Sequence, residues 1–278
     1  MKVGLIQFCV GPDPETNATQ LEKMISEAAA QGCDFVLTPE ASNVIQPDRA
    51  VLNQTVGMAE DDPVFCMAQR VAARHSVLLC LGSLLVQGGN DGKLVNRQIL
   101  LDTTGAVINS YDKIHLFDVS IGDGQHYGES EIFTPGEEAI LSAIPDSKAV
   151  LGHTICYDIR FPSLHQTLAM AGANVLLVPA AFTQKTGRAH WHTLLRARAI
   201  ETGSWLLAAG TCGEHAGQRR TYGHSCVINP WGEIVAEIAS EDDEGVIVQT
   251  LDFDQVTTAR QAIPALENAR TFHLPSSL

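Results

Sequence analysis

The chain has 278 residues, 45% of them hydrophobic, which is enough for one large domain or two small ones with a full core. With 32 acidic against 18 basic residues the net charge is -14, which argues against a nucleic-acid or anionic-membrane surface but leaves room for a local basic pocket. No apolar run approaches the ~20 residues of a membrane span, the first residues (MKVGLIQFCV) lack a secretory pattern, and the seven cysteines are scattered without a CxxC pair. These features predict a soluble cytoplasmic protein whose partner is a small molecule.

In chain order, Lys2 to Val10 reads as a strand, and apolar residues at 21, 24, 25, 28 and 29 predict a helix from Asn17 to Gln31, stopped at Gly32. Phe35-Val36-Leu37 is a short buried strand ending at Thr38-Pro39, with Glu40 next. A helix over 63–75 follows. A strand from Val77 to Val86 is joined through Gly88-Gly89-Asn90-Asp91-Gly92 to another over 93–101. The strand Ala106 to Tyr111 ends in Asp112-Lys113, and the aperiodic segment 114–136, rich in Gly, Asp and His, is expected to form a pocket wall or lid.

The run AVLGHTICYDIRFPS (149–163) then predicts a buried strand that delivers Cys156 at its carboxyl end, before a sharp polar turn. Beyond it come a helix from Phe161 to Ala171, a strand from Asn174 to Pro179, a helix from His190 to Thr202 and a strand from Trp205 to Ala209. A hairpin over 227–238 turning at Pro230-Trp231-Gly232, a strand from Val246 to Leu251 and a helix over 253–263 complete the chain. No repeat or linker divides it, so a single α/β domain spanning 1–278 is expected, with helices on both outer faces.

Glu40, Lys113 and Cys156 thus each follow a different strand, and ligands of open α/β sheets gather beyond such carboxyl ends. Each has an ordinary explanation by itself: a capping carboxylate, a solvated turn lysine, a small buried thiol. Together they make a nucleophilic site. A free thiol, with a pKa of about 8.5, is mostly protonated at neutral pH and needs a base or a positive neighbour to attack.

The segments FVLTPEAS (35–42), YDKIHLFD (111–118) and GHTICYDIRFP (152–162) resemble the three signature segments of the nitrilase superfamily of carbon-nitrogen hydrolases, in the same order. The likeness continues through PAAFTQKTGRAHWHTLLRARAIETGSWLLAAGTCG (179–213) and YGHSCVINPWGEIVAE (222–237). The resemblance implies a four-layer αββα sandwich assembled as a homodimer or larger oligomer, with no cofactor and no metal. It implies Cys156 as nucleophile, Glu40 as general base and Lys113 as the cation for the tetrahedral intermediate. A further active-site glutamate falls on Glu129, with Glu131 and Glu137 close by, and the Tyr157 backbone N–H would meet the oxyanion.

The flanking segments resemble the Nit-type amidases, which hydrolyse amides of 2-oxo acids. Deaminated glutathione is the expected substrate; 2-oxoglutaramate, as in the ω-amidases, or another small amide or N-carbamoyl compound, is the alternative. Both 2-oxo acid amides are anionic, and Arg160 and Arg188 are the candidates to pair with their carboxylates; Arg160 could instead pair with Asp158. Arg196 and Arg198 are expected at an interface or on the surface.

Two readings come from other classes. His115 and His126 with Asp118 and Asp123, or His190 and His192, invite a metal, but i and i+2 side chains do not share a helix face. A noncatalytic interaction protein on the same fold would be expected to lack one of Glu40, Lys113 and Cys156, and all three are present. No GxGxxG follows the first strand, so dinucleotide binding has no support.

Overall fold

The computed structural model describes residues 1–120 and 127–274. The strands are β1 (Lys2–Gln7), β2 (Phe35–Leu37), β3 (Leu78–Gln87), β4 (Leu94–Leu101), β5 (Val107–Asp112), β6 (Asp118–Val119), β7 (Tyr127–Gly128) and β8 (Leu141–Ala143). They continue as β9 (Val150–His153), β10 (Val175–Leu177), β11 (Trp205–Ala208), β12 (Cys212–Glu214), β13 (Arg220–Tyr222), β14 (Cys226–Ile228), β15 (Ile234–Glu237) and β16 (Gly245–Thr250). The helices are α1 (Pro14–Ala30), α2 (Arg49–Thr55), α3 (Pro63–His75), α4 (Pro162–Met170), α5 (Gln184–Thr202), α6 (Asp254–Ala262) and α7 (Ala265–Asn268).

Two six-stranded mixed sheets form, in the orders β16-β1-β2-β3-β4-β5 and β15-β14-β11-β10-β9-β8. Within each, three strands run parallel: β1, β2 and β3 in the first, β9, β10 and β11 in the second. They read as nearly continuous apolar runs because both faces are covered. Alternate residues go to different cores: Leu5, Leu37 and Cys80 meet Leu151, Leu177 and Trp205 between the sheets. Ile6, Val36 and Leu79 instead pack with Leu21, Ile25 and Val71 of α1 and α3, and Leu176 and Leu206 pack with Leu168, Trp191 and Leu195 of α4 and α5. Three cores separated by two sheets make the four layers of an αββα sandwich.

The predicted elements are present, with shifts that packing explains. α5 starts at Gln184 instead of His190; Gly187, a poor helix residue that hides the first turns in the sequence, is needed there because a Cβ would lie 2.3 Å from Tyr222 Cγ. α2 and the β12–β13 hairpin were not evident in the sequence. Arg198, expected at an interface or on the surface, is buried in the chain itself, because its guanidinium donates to the Ile159 carbonyl (2.9 Å) and ties α5 to the turn after Cys156.

Gly82 of β3 positions the site. A Cβ there would lie 1.9 Å from the Thr38 carbonyl oxygen and 2.5 Å from that of Pro39, so only glycine lets the strand pass under the turn that carries Glu40. The β3–β4 register shifts between Leu81 and Leu84, and Ser83, freed from the ladder, accepts from the Ala41 amide through Oγ (2.8 Å) and from the Ser42 amide through its carbonyl (2.8 Å). The bulge thereby holds the turn after β2.

Candidate active site

Cys156 opens a short 3₁₀ turn (Cys156–Arg160) just past β9, with φ +47°. A non-glycine residue in the left-handed region is strained and persists only where its surroundings determine it. Here they do: the Cys156 amide donates to the Pro179 carbonyl (2.8 Å), and the Thr154 hydroxyl to that of Leu177 (2.7 Å), both from the strand region beside it. Asp158, fully buried, locks the turn from inside by accepting from the Ile155 amide (2.8 Å), the Tyr111 hydroxyl (2.6 Å), the His115 amide (3.1 Å) and His115 Nδ1 (2.7 Å). His115 in turn stacks on Phe161, with ring centroids 3.5 Å apart.

Lys113, the first residue past β5, is 1% exposed, and its ammonium lies between two carboxylates. Nζ is 2.9 Å from Glu40 Oε1, and 3.0 and 2.8 Å from the two oxygens of Glu129. Glu40 is 4% exposed and accepts further from Asn96 Nδ2 (2.9 Å) and from the Ala181 amide (2.6 Å). Glu129 is fixed by the Phe117 amide (2.8 Å). Burial pushes the Glu40 carboxyl up, but Lys113 and the Ala181 amide outweigh it and hold the group below its ordinary value. Burial also works against the Lys113 charge, and Glu129 and Glu40 more than offset it, raising the ammonium well above its ordinary value. The Cys156 thiol is pushed well up, first by burial and then by the negative charge of Glu40.

Glu40, Glu129 and Cys156 all border one small cavity of about 20 Å³, walled by Phe117, Tyr157 and Phe182. A larger cavity of about 400 Å³ shares Glu40, Glu129 and Ala181 with it and extends between Val44, Leu52 and Phe133. A buried thiol beside a carboxylate that can take its proton, with an ammonium bridging that carboxylate to a second one, suits acyl transfer through a covalent intermediate. A model of the carbon-nitrogen hydrolase family matches residues 2–261. The chain belongs to the carbon-nitrogen hydrolase family.

This carbon-nitrogen hydrolase is 35% identical over 270 residues to the deaminated glutathione amidase of Yersinia enterocolitica, covering 96% of this chain and 92% of that relative. Among solved structures, the C. elegans NitFhit protein superposes with a TM-score of 0.88 at 34% identity, over 97% of this chain and 65% of that longer one. Saccharomyces cerevisiae Nit3, a member of branch 10 of the nitrilase superfamily, gives 0.83 at 27% identity over 95% of this chain and 94% of that one. The αββα architecture is thus that of the family.

Of the residues singled out in the sequence, the hydrolase brings Glu40, Lys113, Glu129, Cys156 and Tyr157 to one place. Glu131, an alternative for the third carboxylate, instead pairs with Arg49 on the surface, and Glu137 borders neither cavity. Arg160 pairs not with Asp158 but with His190, and lies over the rings of Tyr157 (5.9 Å) and Phe182 (5.4 Å). Arg188 is on the exposed face of α5, where both oxygens of Glu241 engage its guanidinium (2.7 and 2.8 Å), and it borders neither cavity. Arg219 borders both, and sequence reasoning passed over it because it lies in the 215–219 loop, outside any quoted motif.

The histidines have partners of another kind. His126 and Asp123 lie outside the described residues, His115 serves Asp158, and His192 and His224 both meet Glu237 Oε1 (2.7 and 2.8 Å) across α5 and the β14–β15 hairpin. These three are the one group among the described residues with ligand atoms close enough to hold an ion, within 4.8 Å of one another. Their 2.7 and 2.8 Å separations are ordinary hydrogen-bond distances.

The Asp158 network makes a testable demand. Asp158→Asn cannot accept all four hydrogen bonds, so kcat is expected to fall at least about tenfold and stability by about 1–3 kcal/mol. Steady-state amide hydrolysis and urea unfolding check both, and unchanged kcat would show that the turn holds Cys156 without Asp158.

Proposed function

We propose that this hydrolase cleaves an amide of a 2-oxo acid, deaminated glutathione in first place, giving 2-oxoglutarate and cysteinylglycine. The observation that carries the reading is the Lys113 ammonium clamped between Glu40 and Glu129 beside the Cys156 thiol. In the proposed reaction Glu40 takes the thiol proton as Sγ attacks the amide carbonyl. The carbonyl oxygen becomes an oxyanion met by Lys113 and by the Tyr157 N–H, at the start of a turn whose first amides lack intrahelical acceptors. Glu40 then protonates the departing nitrogen, the C–N bond breaks and a thioester remains. Glu40 next draws a proton from water, which attacks the thioester, releases the acid and restores the thiol.

Support for the substrate comes from the relative at 35% identity, a deaminated glutathione amidase, and from the cavity of about 400 Å³ beside Glu40, which has room for a dipeptide leaving group. The test is kcat/KM on deaminated glutathione and on 2-oxoglutaramate. At least about tenfold higher efficiency on the former is expected, equal to about 1.4 kcal/mol of differential binding. The reverse order would make the protein an ω-amidase, and turnover of neither would point to simple amides or carbamoyl compounds.

The same reading includes a homodimer or larger homo-oligomer and a cytoplasmic location. Met170, Ile200 and Trp231 are exposed around a groove of about 440 Å³ beside α4 and α5, an apolar face that suits a second copy; the native mass in solution tests it. The seven cysteines are unpaired, which suits a reducing compartment. Among the described residues, no helix is long and apolar enough to cross a membrane.

A further inference from the structure

We infer that Arg219 is the anchor for a substrate carboxylate, an inference that rests on the amidase reading above and names the side chain that selects anionic amides. Among the described residues bordering the small cavity at Cys156 or the larger one beside it, Arg219 is the one basic side chain, and it stands where the two meet. Its Nη2 donates to the Ala181 carbonyl (3.0 Å), and its Nε is buried with no partner among the described residues. A buried donor without an acceptor is unfavourable, so a ligand oxygen that reaches this guanidinium removes a standing penalty as well as adding a charge-assisted bond.

Charge counting points the same way. Glu40 and Glu129 carry two negative charges against the single positive charge of Lys113, and the thiol is held protonated. An anionic substrate entering that cluster alone would meet a net negative site. Arg219 brings the balance to neutral, and its Nε is the donor without a partner among the described residues. The other candidates have partners elsewhere and border neither cavity: Arg188 meets Glu241, and Arg160 meets His190 and the rings of Tyr157 and Phe182.

A second orphan lines the larger cavity. Asn96 gives Nδ2 to Glu40, and its Oδ1 is buried without a partner among the described residues. A cavity edged by a cation and an amide acceptor, with apolar walls from Val44, Ile45 and Leu52, matches a chain that carries a carboxylate and an N–H. Ala181 joins the parts, since its N–H holds Glu40 and its carbonyl accepts from Arg219. Carboxylate binding and the general base are thereby set in one frame.

The test compares wild type with Arg219→Met and Arg219→Lys on four amides. Deaminated glutathione has carboxylates on both halves, 2-oxoglutaramate on the acyl half, N-butanoyl-cysteinylglycine on the amine half, and butanamide has none. For Arg219→Met, KM for deaminated glutathione is expected to rise about 30-fold with kcat within a few-fold, the equivalent of losing one charged hydrogen-bond pair. Butanamide kcat/KM should fall by no more than the few-fold change in kcat that follows from loosening the Ala181 frame, and Arg219→Lys should recover part of the KM loss. A loss shared by 2-oxoglutaramate assigns the acyl carboxylate; one shared by N-butanoyl-cysteinylglycine assigns that of the amine. Equal loss on butanamide, or no rise in KM on any carboxylate substrate, overturns the assignment. Should wild type hydrolyse none of these, the substrate reading fails, and alkylation of Cys156 still judges Arg219: Arg219→Met must lower the iodoacetate-to-iodoacetamide rate ratio at least about tenfold, and an unchanged ratio overturns it.

Discussion

Replacing Cys156 with alanine is expected to lower kcat on any amide this hydrolase turns over by at least about 10⁴-fold, because removing the nucleophile of a covalent mechanism leaves only binding and oxyanion stabilisation. The fold should survive, since the side chain is small and the strained φ is imposed by Asp158 and Pro179, not by the sulfur. Circular dichroism and the unfolding midpoint of the variant should therefore match wild type. The companion measurement is intact-mass labelling with iodoacetamide. Cys156 should take the adduct ahead of Cys80 and Cys226, which are buried in apolar surroundings that push their thiols far up. Because burial and Glu40 also raise the Cys156 thiol, its labelling without substrate should quicken as pH rises. Near-wild-type hydrolysis by the alanine variant would falsify the covalent scheme.

Lys113→Met is expected to cost both activity and stability. One oxyanion donor is typically worth about 10²- to 10³-fold in kcat, and the ammonium also orients Glu40 and Glu129, so a loss of at least about 10³-fold is anticipated. Removing one partner from a buried charge cluster leaves the others uncompensated, typically at about 3–5 kcal/mol. The pH dependence gives this a signature. In the wild type Glu40 is held below its ordinary value, so the stability it contributes is present at neutral pH and is lost as pH falls through the acid range. In the variant burial, the largest single influence, is still opposed by the Ala181 amide and the Cys156 thiol but no longer by the ammonium, so the folded-state pKa of Glu40 is expected to rise from its wild-type position and protonation to relieve part of the penalty. The stability deficit against wild type should be widest at pH 7–8 and shrink toward pH 5, as read from urea midpoints. A deficit that does not vary with pH would mean that the carboxylates do not depend on Lys113.

The strand ends were legible in the sequence because their signals are local. Short apolar runs stopped by Pro39, Asp112 or the Cys156 turn announce themselves in one dimension, so Glu40, Lys113 and Cys156 could be placed at carboxyl ends before any coordinates. The environment that tunes them was not local. Asn96 and Ala181 reach Glu40 from 56 and 141 residues away, and Tyr111 reaches Asp158 from 47. Gly82 was an unremarked strand residue until the Thr38 carbonyl took the place of its side chain. Arginines were the least legible, because a guanidinium is placed by whichever acceptor lies within its long reach. Glu241 claims Arg188, the Ile159 carbonyl claims Arg198, and Arg219 is left facing the cavities.

The Glu40 turn and Lys113 come from one sheet and Cys156 from the other, and the first contact between base and nucleophile is made across the core that joins them. Neither sheet by itself holds a complete active site. A chain still being synthesised, or one whose sheets have parted under heat, carries at position 156 an ordinary cysteine with no base at hand. Reactivity in this protein is therefore acquired late, as a product of completed folding, and a partly folded chain is spared a primed thiol.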